Sequence, residues 1–455
     1  MSGRFIAADR ETTYFFPPSV QEWISDKHLA RFVVEIVDQL DMVEIEAAYS
    51  GRGSSAYHPK MLTALLFYGY ATGIFSSRKL EIATYDLVPC RYIAANEHPD
   101  HDTIATFRRR FLPQLTQYFN TTLLIAGEMG VLKLGSVSLD GTKVKANASK
   151  HKALSYEYAC KLEKQYEQEV ADLLARAEAA DENSGSDALD IPEELEWRAN
   201  RLKRIAKAKE EIERRAVERE IREREAYEQK LAERKKKAEE TGKKPRGREP
   251  KEPESGPRKK DQVNLTDEES RIMPTSSGGF EQAYNAQAAV DVTTKLILTA
   301  HVSQQSNDKQ ELEPTLELLG QLPEELGKAK DLLADTGYFS ETNVHACEEQ
   351  KITPYISAGR DKHNTPLGER NDEPEPVPKD ADSVTVMKHR LKTREGKEKY
   401  AKRKGSSEPV FGVIKAAMGY RSFLLRGYQA VQGEWSLVCM AYNLKMLHRM
   451  ARITP

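Results

Sequence analysis

The sequence predicts an α/β fold: a mixed sheet with helices on its faces, preceded by an all-α segment and interrupted by a charged helical hairpin. Three observations carry this. Short strand-like runs (Val137–Val144, Tyr284–Asp291, Leu296–Ala300, Leu332–Ala334) alternate with helical patterns in the second half. Residues 26–128 carry helical periodicities separated by short turns. Residues 154–262 shift to Glu, Lys and Arg around a narrow apolar seam. The expected divisions are a helical domain at 1–130, a sheet domain made of 134–148 and 278–455, and an insert at 154–262.

The chain has 455 residues, enough for two or three domains with real cores. Its net charge is −2, so a polyanionic partner would need locally clustered cations. Cys90, Cys160, Cys347 and Cys439 are scattered without a CxxC pair, which argues against structural zinc and for a reducing compartment. The start lacks a signal-like apolar core and no apolar run is long enough to span a bilayer, so a cytoplasmic protein is expected.

In the first domain, Leu29, Phe32, Val33, Ile36, Val37 and Leu40 form one apolar stripe. A second helix opens at Pro59 and a third near Ser77. A fourth follows the turn His98-Pro99-Asp100-His101, with Asp102 as its expected N-cap and Ile104, Phe107 and Phe111 facing inward. That arrangement turns part of Arg108-Arg109-Arg110 outward, like a helix-turn-helix DNA reader, with Arg78 on the preceding helix; a solvated helix face is the competing reading. His98 and His101 read as turn residues rather than metal ligands.

Asp140 lies within the alternating run Val137-Ser138-Leu139-Asp140-Gly141-Thr142, where β-propensity disfavours an aspartate. Either an edge position or metal binding accounts for it. In the insert, two helices (about 154–180, and from Pro192 onward) should form an antiparallel hairpin whose second arm overhangs the first by roughly 20 residues, about 30 Å. The tract Lys243-Lys244-Pro245-Arg246-Gly247-Arg248-Glu249-Pro250 should be disordered to about 262. Its Arg246-Gly247-Arg248 resembles the AT-hook that enters narrow minor grooves, although Glu249 departs from that pattern.

Beyond the insert, a hairpin turns at Val292-Thr293-Thr294, and Asp308-Lys309-Gln310-Glu311 reads as a capping box for the next helix. Leu332-Leu333-Ala334-Asp335-Thr336-Gly337 is a buried strand delivering Asp335 to a sheet end, unless Asp335 merely caps the next helix. Residues 388–404 hold nine Lys/Arg against two Glu. Glu408 then opens a helix with Val410, Val413, Ile414 and Ala417 on one face and Lys415 two turns on. Two strand-end aspartates and a glutamate beside a basic stretch suit two Mg²⁺ ions and a phosphodiester. Asp291 and Glu434 are the reserve carboxylates.

Asp140, Tyr284-Asn285-Ala286-Gln287, Ala334-Asp335-Thr336-Gly337-Tyr338 and Glu408 with Lys415 resemble a bacterial insertion-sequence transposase of the DDE class. Tyr57-His58-Pro59-Lys60-Met61-Leu62 and Thr103-Ile104-Ala105-Thr106-Phe107-Arg108 resemble the helical domain that precedes its core. The resemblance implies an RNase H-like catalytic domain, with Asp140, Asp335 and Glu408 as ligands of Mg²⁺ (or Mn²⁺). Tyr400, Arg403, Glu408 and Lys415 resemble the Tyr-Arg-Glu-Lys signature, with one extra residue between Arg403 and Glu408. It implies double-stranded DNA as partner, both element ends and target, a homodimer on DNA, and no membrane. The DNA contacts expected are Arg78, Arg108, Arg109, Arg110, Arg246, Arg248, Tyr400, Arg403 and Lys415. The alternatives are a non-cutting DNA-binding derivative and a nuclease that does not join ends. The Asp335-Thr336-Gly337 triplet of an aspartic protease lacks its required second copy.

Overall fold

In this computed structural model the described residues are 19–49, 55–182, 191–242, 247–275, 278–359, 374–378 and 381–452. They form two compact units, Met1–Val144 with Tyr284–Pro455, and Lys145–Ala283.

The first unit begins with α1 (Leu29–Asp38), α2 (Val43–Ala47), α3 (Pro59–Thr72), α4 (Ser77–Asp86), α5 (Val88–Ile93) and α6 (His101–Glu128). Pro59 sits in the first turn of α3, where its missing N–H costs nothing. The cap of α6 is Asp100, not Asp102: the Asp100 carboxylate accepts the Thr103 N–H at 2.7 Å, which starts the helix two residues earlier. Pro113 lies inside α6, and the backbone leaves helical angles at Phe111, because the ring removes one hydrogen bond and crowds the preceding turn.

Strand β1 (Ser136–Lys145) leads into the second unit. There β2 (Ala153–Ser155) precedes α7 (Tyr156–Glu182) and α8 (Ile191–Thr241), and β3 (Gln262–Asn264) returns antiparallel to β2. Ala159, Ile205, Ala208, Ile212 and Val263 make a small buried core of their own. Interhelical pairs Arg198–Glu169 and Lys209–Glu163 flank it. The segment expected to be disordered to 262 instead runs back along α8 once it reaches Gly247. Ser255 Oγ donates to Glu220 at 2.8 Å, Arg258 pairs with Glu223 at 2.9 Å, and Arg219 holds Asp261 at 2.7 Å. The composition suited solvation, but a row of opposite charges on α8 gives the segment partners. Arg246 lies outside the described residues, whereas the Arg248 carbonyl accepts from Arg234. Next, β4 (Arg271–Pro274) pairs antiparallel with the opening residues of β5 (Phe280–Asp291).

The first unit resumes with β6 (Ile297–Ser303), α9 (Leu312–Gly320), β7 (Asp331–Ala334), α10 (Glu341–Glu349), β8 (Thr353–Ile356), α11 (Ser383–Lys392), α12 (Arg394–Ala401), α13 (Ser407–Gly412) and α14 (Tyr428–Ala451). Its strand order is β6-β5-β1-β7-β8; β6 is antiparallel to β5, and β7 and β8 run parallel to β1. The first strand is therefore central, the RNase H-like arrangement. After α13 the helix widens into one π-turn, Val413–Ala417, so Ile414 stays buried and Ala417 is exposed rather than inward.

Helix α14 closes the edge of the sheet. The side-chain amide of Asn443 pairs with both backbone groups of Ile297 at 2.8 Å. Gln432 does the same for Val302 N–H and Ala300 C=O. These bonds satisfy the outward ladder of β6, which would otherwise be free to pair with another chain. Since α14 also packs on α3 and α6, the helical segment and the sheet share one unit, without the packing break expected near residue 130.

Candidate active site

Register places the two aspartates. Ser136, Val137 and Ser138 of β1 pair with Asp331, Leu332 and Leu333 of β7. Asp140 and Asp335 stand the same four residues beyond the first pair, on strands about 4.8 Å apart. Both carboxylates are also tied locally. Asp140 Oδ1 accepts the Gly141 N–H at 2.9 Å, and Asp335 Oδ1 accepts the Gly337 N–H at 2.8 Å. Asp335 thus serves as strand end and turn cap together.

Residues at the start of α13 sit over the same face of β1. Ser407 Oγ donates to Asp140 Oδ2 at 3.1 Å and lies 3.4 Å from Ser138 Oγ, two residues earlier on that face. Burial pushes the Asp140 carboxyl above the usual range; the Gly141 N–H, Arg403 and Ser407 pull it down, and Asp335 adds to the rise. Glu408 points away into solvent, its side chain 58% exposed. Between them lies Arg403, 3.8 Å from Asp140 and 3.9 Å from Glu408. Among the described residues, no three His, Cys, Asp or Glu side chains are gathered closely enough to hold a metal ion. The fold brings Asp140, within β1, and Asp335, just beyond β7, to matching positions on neighbouring strands and leaves Glu408 apart, with a guanidinium in the gap.

The expected DNA contacts divide in three. Arg78 and Arg109 are exposed. Lys415 Nζ donates to Thr142 Oγ1 and to the Lys143 carbonyl, and burial, helped by Lys143, lowers its pKa. It therefore stands over β1 two residues from Asp140.

Of the other expected contacts, Arg108, Arg110 and Tyr400 have partners within the fold. Arg108 is buried, donating to Tyr70 Oη and the Phe75 carbonyl, both at 3.1 Å. Tyr70 passes the contact on to Glu434, which also accepts the N–H groups of Leu424 and Leu425. Arg108 and the reserve carboxylate Glu434 thus belong to one structural network, because a buried charge needs compensation. Arg110 bonds the Ala48 carbonyl and lies over Tyr49. Tyr400, half-buried, packs against the buried cluster of Val292, Leu333 and Tyr355. Asp291 caps its own turn through Thr293 and Thr294.

One residue of the site escapes sequence reasoning. Asp308 does not cap α9, whose N-cap is Glu311. Its carboxylate turns to the sheet and accepts Asn285 Nδ2 at 2.6 Å, Gln287 Nε2 at 2.8 Å and Lys143 Nζ at 3.4 Å. Gln287 in turn accepts the Tyr338 hydroxyl from the turn after Asp335. A Cβ on Gly141 would lie 2.2 Å from Gln287 Nε2, so glycine beside Asp140 is what admits this network. The signal was the pair Asn285 and Gln287, amides two apart on one face of a strand whose middle, residues 283–290, has no other amide or charged residue.

A central strand carrying one aspartate and a parallel neighbour ending at a second, with a helix-borne glutamate beyond an intervening arginine, define an RNase H-like nucleic-acid-processing enzyme. Residues 250–444 match the family Transposase DDE domain, and residues 18–110 match Transposase domain (DUF772). The chain is a member of the DDE class of insertion-sequence transposases, with an N-terminal transposase domain. It is a metal-dependent enzyme acting on DNA phosphodiester bonds. The DDE match covers Asp335 and Glu408; Asp140 precedes it. No curated protein and no solved structure matches the chain. No helix of the described residues is long and apolar enough to cross a membrane.

Proposed function

We propose that this transposase cuts DNA at the ends of its element and joins the freed 3′ ends to target DNA in one site, using Asp140, Asp335 and Glu408 with Mg²⁺, for which Mn²⁺ can substitute. The observation that carries the reading is the matched register of Asp140 and Asp335, with Ser407 fastening the Glu408 helix to the same face. The donors are hard carboxylate oxygens, and the burial that disfavours ionised Asp140, with a smaller push from Asp335, is what a bound divalent cation offsets. When bound, the metal activates the attacking oxygen and stabilises the leaving oxygen of an in-line phosphoryl transfer.

The protein's own residues do the rest. Asp140 and Asp335 are held by rigid strands and turn N–H groups, so they define the site before DNA arrives. Glu408 is exposed and completes the ligand set when Arg403 turns to a phosphate. Lys415, fixed over β1, offers a cation to the backbone beside the scissile bond. The N-terminal helices bind the element's ends, and two copies pair on DNA because an element has two ends. The protein works in the cytoplasm, on the chromosome.

A gel assay with Mg²⁺ and end DNA tests this: Glu408→Gln should retain end binding while losing both nicking and joining. Nicking without joining by the unaltered protein would instead fit a nuclease. Undiminished nicking by Glu408→Gln would remove Glu408 from the site.

A further inference from the structure

With Arg108 buried and the exposed Arg110 tied to the Ala48 carbonyl, α6 keeps Arg109 as the one exposed arginine of its triplet that is not so tied. A broader exposed face is on α4. We infer that α3, the turn Gly73-Ile74-Phe75-Ser76 and α4 form the DNA-reading helix-turn-helix, and that α4 enters the major groove of the element's ends through Arg78, Lys79, Ile82 and Tyr85. This deepens the reading that the N-terminal helices bind the ends, and rests on it.

The connection has the length and chemistry of such a motif. Helix α3 stops at Gly73, whose φ of +88° is left-handed, and α4 begins four residues later at Ser77. Ser77, Leu80, Ala83 and Thr84 are the buried face of α4. Arg78, Ile82 and Tyr85 follow one another at i, i+4 and i+7 on the opposite face, with Lys79 beside them. Ile82 and Tyr85 are each 56% exposed, an unusual use of large apolar surface beside cations. Arg78 and Lys79 have no side-chain partner among the described residues, and the first turn of α4 contains no acid.

The surroundings make this surface rigid. Tyr85 stacks on His98 with ring centroids 3.8 Å apart, and His98 Nδ1 meets Thr84 Oγ1 at 3.1 Å. Glu81, the acid nearest the face, is turned aside onto His101, 2.7 Å from its Nδ1. Asp86 is exposed but lies at the far end of the helix. In a helix-turn-helix the first residues of the second helix reach the bases. Arg78 and Lys79 occupy that position with donors for guanine or phosphate, and Ile82 offers an apolar contact to a thymine methyl. Charge complementarity favours duplex DNA over a protein surface, and the chain already acts on DNA.

The test uses the full-length protein with labelled duplexes, one carrying the DNA that flanks the coding sequence and one scrambled. Arg78→Ala with Lys79→Ala should weaken binding to both duplexes and lower the log–log salt slope by about 2. Ile82→Ala should cut the preference for the end duplex about tenfold while scrambled binding stays. A photo-crosslinking residue is then placed in turn at position 82, at position 109 and at position 404. Capture of end DNA from position 82 supports α4. Capture from 109 but not 82 overturns α4 and keeps the N-terminal reading. Capture from 404 alone overturns both. Capture of a second protein copy from position 82 would make the face a dimer contact and overturn the inference.

Discussion

The guanidinium of Arg403 stands 3.8 Å from the Asp140 carboxylate and spans the space to Glu408. A cation in that position competes with any metal for Asp140. Arg403→Ala should therefore bind Mn²⁺ more tightly, by roughly 3- to 10-fold given effective surface dielectrics, while cleavage of end DNA falls. Mn²⁺ titration followed by paramagnetic resonance reads the first effect. Weaker Mn²⁺ binding would show that Arg403 does not compete.

Asp308 is expected to act as a positioning residue. It is the shared acceptor for Asn285, Gln287 and Lys143, and through Gln287 it reaches Tyr338 beside Asp335. Asp308→Ala leaves those donors without their acceptor, at a cost of about 2 kcal/mol, and should lower cleavage at least 100-fold. Asp308→Asn keeps one acceptor oxygen and should recover part of the rate. Wild-type cleavage by the alanine variant would exclude the role.

Arg108 should matter for stability. Arg108→Ala should cost about 3 kcal/mol in denaturant melts, because it leaves Tyr70 and Glu434 without their cation, whereas Arg109→Ala should change little. A DNA-binding defect in Arg108→Ala without destabilisation would contradict this.

Glu434 carries a pH signature. Burial raises its pKa above the ordinary 4.5, so the fold favours the protonated form. Its contribution is complete below that ordinary value and is lost as pH rises through the raised one. Melting temperatures taken from below pH 4.5 up to neutrality should therefore fall more for the native chain than for Glu434→Gln. Parallel curves would remove Glu434 as the cause.

In the insert, Ile212 is buried between α7 and α8, so Ile212→Ala should destabilise that unit by about 2–4 kcal/mol. Arg219→Ala should free the returning segment, since Arg219 holds both Asp261 and the Gly256 carbonyl. Several-fold faster tryptic cleavage at Arg258 is the expected readout. An unchanged digestion pattern would mean the other α8 contacts suffice.

Much of this molecule was legible in the chain. Period-two alternation marked the strand that carries Asp140, a short apolar run the strand that delivers Asp335, and period-3.6 patterns the helices of the N-terminal segment and the charged hairpin, because such patterns arise from local backbone geometry. The carboxylate set and its family resemblance could be named because the residue types and flanks are local too. Partnership could not be read in the same way. Arg108 and Arg109 are adjacent and chemically identical, yet one meets Tyr70 across the core and the other faces water. Asp308 looks like a helix cap until β5 supplies Asn285 and Gln287 as stronger partners. Helix α4 looks no more basic than α6, and only the packing reveals which face stays free. The elements and the chemistry they carry follow from short stretches of the chain. Tertiary structure alone decided which charges are compensated and which remain open to DNA, because a side chain's partner depends on contacts far apart in the chain.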